Sequence, residues 1–132
     1  MRISLETDYA VRIVDCLANS TERMSAAKIS SKTRVTEKFC LKILRKLVSK
    51  GIVKSFKGVS GGYELNKSPE EITLKQVIET IEGPIVLSRC LQNDFNCEHK
   101  DGNCTCYFHK VFYEVSKEMA DRFDAVTFSK NN

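Results

Sequence analysis

Residues 36–65 read TEKFCLKILRKLVSKGIVKSFKGVSGGYEL, and the spacing of their apolar residues changes once. After Thr36, the residues Cys40, Ile43, Leu44, Leu47 and Val48 recur in steps of three, one, three and one, which is one face of a helix. Thr36 stands where an N-cap is expected. Lys50-Gly51 reads as the helix end, a cation in the last turn followed by a residue that tolerates left-handed backbone. Beyond it, Ile52–Lys57 reads as a strand, Gly58-Val59-Ser60-Gly61-Gly62 as a flexible turn, and Tyr63-Glu64-Leu65 as the return strand.

Upstream, Ser25–Thr33 predicts a short helix capped by Ser25, and Ser4–Asn19 a longer one with Ala10, Ile13, Val14 and Leu17 on one face. Two helices close in sequence and then a hairpin is the order of a winged helix-turn-helix. Downstream, Thr73 caps a helix that presents Leu74, Val77, Ile78 and Ile81, and Gly83-Pro84 ends it. A long helical pattern runs from about Cys106 to Val126 through Phe108, Val111, Phe112, Val115, Met119 and Phe123. At 1.5 Å per residue it spans about 30 Å, more apolar surface than a small chain can cover by itself. A twofold partner copy is the natural cover. The expected fold class is mainly α with a small β-hairpin. Its three regions are a DNA-binding head over 1–67, a linking helix and cysteine-rich loop over 68–105, and a dimerisation helix with its tail over 106–132.

The 132 residues carry 21 Lys+Arg against 17 Asp+Glu, but the charge is unevenly placed. Residues 1–67 hold 14 basic and 6 acidic side chains, and residues 68–132 hold 7 and 11. From Arg23 to Lys57 there are 11 basic residues and a single acid, Glu37. A solvated face would tolerate such a run, yet its density on a helix-turn-helix pattern points to a polyanion. In that motif the first residues of the second helix meet base edges. The candidates for double-stranded DNA are therefore Thr36, Glu37, Lys38, Lys42 and Lys46 on the helix. Lys54, Lys57, Ser60 and Gly61 are the candidates on the wing, with Lys57 placed to enter a minor groove.

No run approaches the about 18 apolar residues of a membrane span, and no apolar leader follows Met1. A cytoplasmic protein without membrane contact is expected, and its thiols should be reduced. Neither a nucleophile–base signature nor a phosphate loop is present, so neither an enzyme nor a small-molecule substrate is implied. Cys16 and Cys40 fall on buried faces and read as packing thiols. The other four form the pattern Cys90-x6-Cys97-x6-Cys104-x-Cys106, with His99 and His109 close by. Thiolates so concentrated suit an iron–sulfur cluster or zinc. Cys97, His99, Cys104 and Cys106 would close a zinc tetrahedron, whereas a thiol–disulfide switch needs only two of them. Spacing leaves these open.

Several stretches together resemble the Rrf2 family of bacterial winged-helix transcription regulators. They are Met1-Arg2-Ile3-Ser4 with Thr7-Asp8-Tyr9-Ala10, then Val35-Thr36-x-x-Phe39-x-x-Lys42-Ile43-Leu44-x-x-Leu47-x-x-x-Gly51-Ile52-Val53, and the wing Gly58-Val59-Ser60-Gly61-Gly62-Tyr63-x-Leu65 before Ile72-Thr73. The family includes the iron–sulfur regulator IscR, the nitric-oxide sensor NsrR and the cysteine-metabolism regulator CymR. The resemblance implies a homodimeric repressor on a twofold operator, with three cysteines holding a [2Fe–2S] or [4Fe–4S] cluster that senses nitric oxide, redox state or iron–sulfur supply. Cys90 and Cys97 match the first two ligands. Cys106, at the head of the long helix, fits the third better than Cys104, which keeps the even spacing. The fourth ligand maps to His109 in one branch and to Asp8, from the other subunit, in another. The family's basic wing residue maps to Lys57. The acidic base-reading position of IscR maps to Leu41, which accepts no hydrogen bond, so that operator preference does not carry over. A zinc-bound or thiol-switched regulator, or a CymR-like one controlled by a partner protein, is the alternative.

Overall fold

A computed structural model of the chain describes residues 2–92 and 106–129. Helices α1 (Leu5–Ala18), α2 (Ala26–Thr33) and α3 (Glu37–Ser49) are followed by strands β1 (Val53–Phe56) and β2 (Gly62–Leu65). Then come α4 (Leu74–Glu82) and α5 (Tyr107–Asp124), with single 3-10 turns at Pro69–Glu71 and Arg89–Leu91. This is the winged helix-turn-helix order read from residues 36–65, with the expected long C-terminal helix.

Hydroxyls start the first four helices. Ser4, Ser25, Thr36 and Thr73 each accept a backbone N–H from the third residue on. At α4 the Thr73 N–H donates in return to the Gln76 amide oxygen, completing a capping box. Each such cap stabilises its helix by about 1 kcal/mol. The turn between α2 and α3 is held by three features. Arg34 adopts left-handed backbone, φ 60°. Its N–H donates to the Ser30 carbonyl at 2.9 Å. The Ser30 hydroxyl donates to the Val35 carbonyl at 2.6 Å.

β1 and β2 are antiparallel, with Val53 opposite Leu65 and Phe56 opposite Gly62. Met24 adds a short third rung by exchanging both backbone bonds with Tyr63, at 3.0 and 2.8 Å. The hairpin is therefore pinned to the segment before α2. The return strand starts at Gly62, one residue earlier than the apolar pattern suggests, because Gly62 pairs with Phe56, and its backbone lies flush against Met24. A Cβ on Gly62, where φ is +137°, would sit 2.8 Å from the Met24 carbonyl oxygen.

The core contains Ala10, Ile13, Val14 and Leu17 of α1, Ile29 of α2, and Cys40, Ile43, Leu44 and Leu47 of α3. Val48, expected on the same stripe, is only half-buried at its edge. Ile72 and Val77 join this core, and so does Phe128 beyond α5. Phe128 is held there by backbone: Leu74 N–H donates to the Val126 carbonyl at 2.8 Å, and Phe128 N–H to the Ile72 carbonyl at 3.2 Å. Among the described residues no helix is long and apolar enough to cross a membrane.

Candidate DNA interface and cysteine segment

Packing of its apolar stripe against α1 and α2 turns α3 so that Glu37, Lys38, Leu41, Lys42 and Arg45 are exposed. Together with Phe39 they line an open concavity along the helix. Thr36 is exposed as well, but its hydroxyl is engaged by the Phe39 N–H at 3.3 Å. The outward face thus combines three cations, one acid and one leucine on a rigid rod.

Lys46 departs from the sequence reading, which put it toward solvent with Lys42. It points at α1, where its Nζ lies 2.7 Å from Glu6 Oε1. Lys42 Nζ is 3.9 Å from the same oxygen and stays more exposed. The cause is angular: Lys46 projects from the flank of α3 that faces α1, beside Phe39, whose ring meets Tyr9 edge-on at 5.7 Å. Lys46 thus shares the Glu6 carboxylate with Lys42 and is the closer of the two.

On the wing, Lys54, Lys57 and Ser60 are exposed. Gly61 is required by the turn itself, because a Cβ there would collide with the Phe56 carbonyl oxygen. Arg23, which the sequence reading counted only as charge, braces the hairpin. Its guanidinium lies 3.4 Å over the Phe56 ring, its Nε 3.4 Å from Glu64, and its Nη1 donates to the Ser60 carbonyl at 3.5 Å. No spacing rule links position 23 to 56, 60 and 64; only the Met24–Tyr63 rung brings them together.

The family model described as "Rrf2: Iron-dependent Transcriptional regulator" matches residues 3–130. The chain belongs to the Rrf2 family. An rrf2-like HTH-type regulator of Rhodobacter capsulatus is 28% identical over 95% of this chain and 88% of its own length. NsrR of Bacillus licheniformis is 30% identical over 73% of this chain and 68% of its own. The solved structure of CymR, the global cysteine regulator of B. subtilis, superposes with a TM-score of 0.76 at 23% identity, covering 97% of this chain and 93% of that one. The molecule is a DNA-binding transcription regulator of winged-helix type, and not an enzyme.

The cysteines of this Rrf2 chain divide by setting. Cys40 is buried and Cys16 half-buried; burial pushes both thiols up, as packing residues should behave. Cys90 lies half-buried in the turn Arg89–Leu91, its Sγ 3.2 Å from the Ser88 hydroxyl. Cys106 is exposed at the N-cap of α5 and makes no side-chain cap bond. An exposed sulfur without a cap bond is open to a soft-metal ion. His109 is half-buried three residues further along α5. Asp8 is engaged by its own helix, with Oδ2 2.9 Å from Arg12 Nε. Cys97, His99 and Cys104 lie outside the described residues. Among the described residues no three His, Cys, Asp or Glu side chains are grouped to hold a metal. Thiolate and imidazole donors are of the kind that soft metals and iron–sulfur clusters take, and of the four clustered cysteines the structure describes Cys90 and Cys106.

Two contacts that the sequence reading missed hold α4 and its following loop, one to the head and one to α5. The Glu82 carboxylate, at the end of α4, accepts from Thr7 Oγ1 at 2.6 Å and from the Ser4 N–H at 3.0 Å. The Ser4 hydroxyl, the Thr7 hydroxyl and the Ser4 N–H, in that order, hold its pKa below the ordinary glutamate value. Leu87 N–H donates to the hydroxyl of Ser116 at 2.8 Å, and Ser116 is the buried residue of α5. Neither contact has a local sequence signature, since one spans 75 positions and the other 29.

Proposed function

We propose that this protein is a homodimeric repressor whose grip on operator DNA is set by an iron–sulfur cluster held by Cys90, Cys97 and Cys106. His109 is the fourth ligand, and Cys104 is the spare thiol. The observation that carries the reading is the placement of Cys106, an uncapped and exposed thiol at the foot of a helix that exposes Tyr107, Phe108, Phe112, Tyr113 and Val115. A ligand there acts at the base of the surface best suited to a second copy. The family's description as iron-dependent supports iron over zinc. Asp8 is the weaker candidate, because its carboxylate already pairs with Arg12.

α3 enters the major groove, with Lys38, Lys42 and Arg45 against phosphates and base edges, while Lys54 and Lys57 neutralise phosphates beside the wing. α5 pairs with its copy and fixes the spacing of the two heads. When bound, the cluster supplies an iron centre that nitric oxide or oxidants attack. The residues of the chain carry the consequence. Cys90 and Cys106 tether the two ends of one segment. Ser116 holds Leu87 to α5, and Glu82 holds α4 to Ser4 and Thr7 at the start of α1. Freeing the thiolates loosens the path from α5 to the head, and half-sites read at fixed spacing fall out of register. A coupling of about 1–3 kcal/mol changes affinity about 5- to 150-fold, enough for a switch.

Purification without air, with iron and sulfide analysis, spectroscopy, sedimentation and duplex retardation, tests this. A brown dimer is expected, whose duplex affinity changes when the cluster is lost and no longer responds in Cys97→Ser. A colourless protein containing zinc overturns the cluster in favour of a zinc regulator. Metal-free protein whose Cys97→Ser variant behaves as wild type points to control by a partner protein. A monomer overturns the pairing of α5.

A further inference from the structure

We propose that Leu41 is a specificity-determining residue that reads the C5 methyl group of a thymine in the major groove. The proposal rests on the reading that α3 enters that groove. Leu41 is the fifth of the 13 residues of α3, within the half of a recognition helix that meets base edges. The residue is 40% exposed. Lone exposed leucines are ordinary; this one is set apart by its neighbours. Glu37 and Lys38 lie four and three residues before it and Arg45 four after, so all share its stripe of the helix. Leu41 and Phe39 are the two apolar side chains of a concavity whose other lining residues, Glu37, Lys38, Lys42 and Arg45, are charged.

The other exposed apolar residue of α3 has a structural reason for its place. Phe39 stacks edge-on against Tyr9 of α1 at 5.7 Å, and Lys42 Nζ stands 5.8 Å from its ring. Among the described residues Leu41 has no aromatic or polar partner, and it is not part of the core. The charge around it selects the occupant. Lys38, Lys42 and Arg45 favour a polyanion over an apolar protein surface. Within the major groove the one apolar group is the thymine methyl. Leucine can neither donate nor accept, so it discriminates by burying that methyl and by leaving cytosine, adenine and guanine edges unsatisfied.

The test starts from a duplex enriched by the wild-type dimer out of a random pool. Deoxyuridine then replaces each thymidine singly, removing only the methyl. At one position of each half-site the replacement should weaken wild-type binding about 4-fold, the worth of one buried methyl group. Leu41→Ala should bind the thymine duplex more weakly and show no further loss on the same replacement. Leu41 is on the surface, so the variant is expected to fold, and an unchanged circular dichroism melt checks this. Equal sensitivity to every uracil in both proteins overturns the assignment while leaving the DNA reading intact. Failure to enrich any duplex overturns that reading, and this inference with it.

Discussion

At the scale of single residues, Lys46 and Lys57 carry the same charge into different surroundings. Lys46 is paired at 2.7 Å with Glu6, whereas Lys57 is exposed beside the wing turn and makes no ion pair among the described residues. A phosphate contact releases counterions and steepens the salt dependence of binding by about 0.9 per phosphate. Lys57→Ala should lower duplex affinity and flatten the logarithmic salt slope by about that amount for each subunit engaged. Lys46→Met should leave the slope unchanged and cost about 0.5 kcal/mol of folding stability, as half-exposed pairs do. Equal slope changes in the two variants would return Lys46 to the interface. The sequence could not separate these lysines. Both lie in one basic run, and only the packing of α3 on α1 brings Glu6 to one of them.

Among the elements, the hairpin depends on a glycine for a reason outside its own turn. Gly62 lets β2 pass against the Met24 backbone, which in turn sets Arg23 over Phe56. A methyl group there meets backbone, which cannot move aside as a side chain tip can. Gly62→Ala should destabilise the protein by about 1–3 kcal/mol, seen as a lower urea midpoint with unchanged slope. Loss of wing-dependent duplex affinity beyond the loss of stability is also expected, since Lys57 and Ser60 are carried on the same hairpin. The caps at Ser4, Ser25, Thr36 and Thr73 were legible in the sequence because each is a local event over three residues. The Met24–Tyr63 rung was not, because it joins segments 39 positions apart with no periodic signal of its own.

For the whole molecule, the linking helix is as much part of the head as of the cysteine segment. α4 packs against α1. Ile72, Val77 and Phe128 share the core with the first three helices, and Glu82 closes the contact on Ser4 and Thr7. The carboxylate is more acidic folded than unfolded, so its contribution is present above the ordinary glutamate pKa of about 4.3 and fades as pH falls through the lower folded value. Glu82→Gln should therefore be about 1 kcal/mol less stable near neutrality, a figure kept small because the group is largely exposed. The difference should vanish in acid below the folded pKa. Thermal melts of both proteins across pH 3–7 check this. A gap that persists at the acid end would mean that the carboxylate acts by shape and not by charge.

The sequence by itself determined the elements and their order. Helix periodicity, hydroxyl caps and a glycine-rich turn act within a few residues and need no knowledge of the rest of the chain. It also determined the charge asymmetry and the grouping of four cysteines, which are properties of composition along the chain. The tertiary structure decided which cations remain outward, where Arg23 and Glu82 find their partners, and why Phe128, beyond α5, is seated in the core. Those outcomes depend on side chains meeting across dozens of residues. Only the packed arrangement of α1, α3, α4 and the hairpin sets those distances.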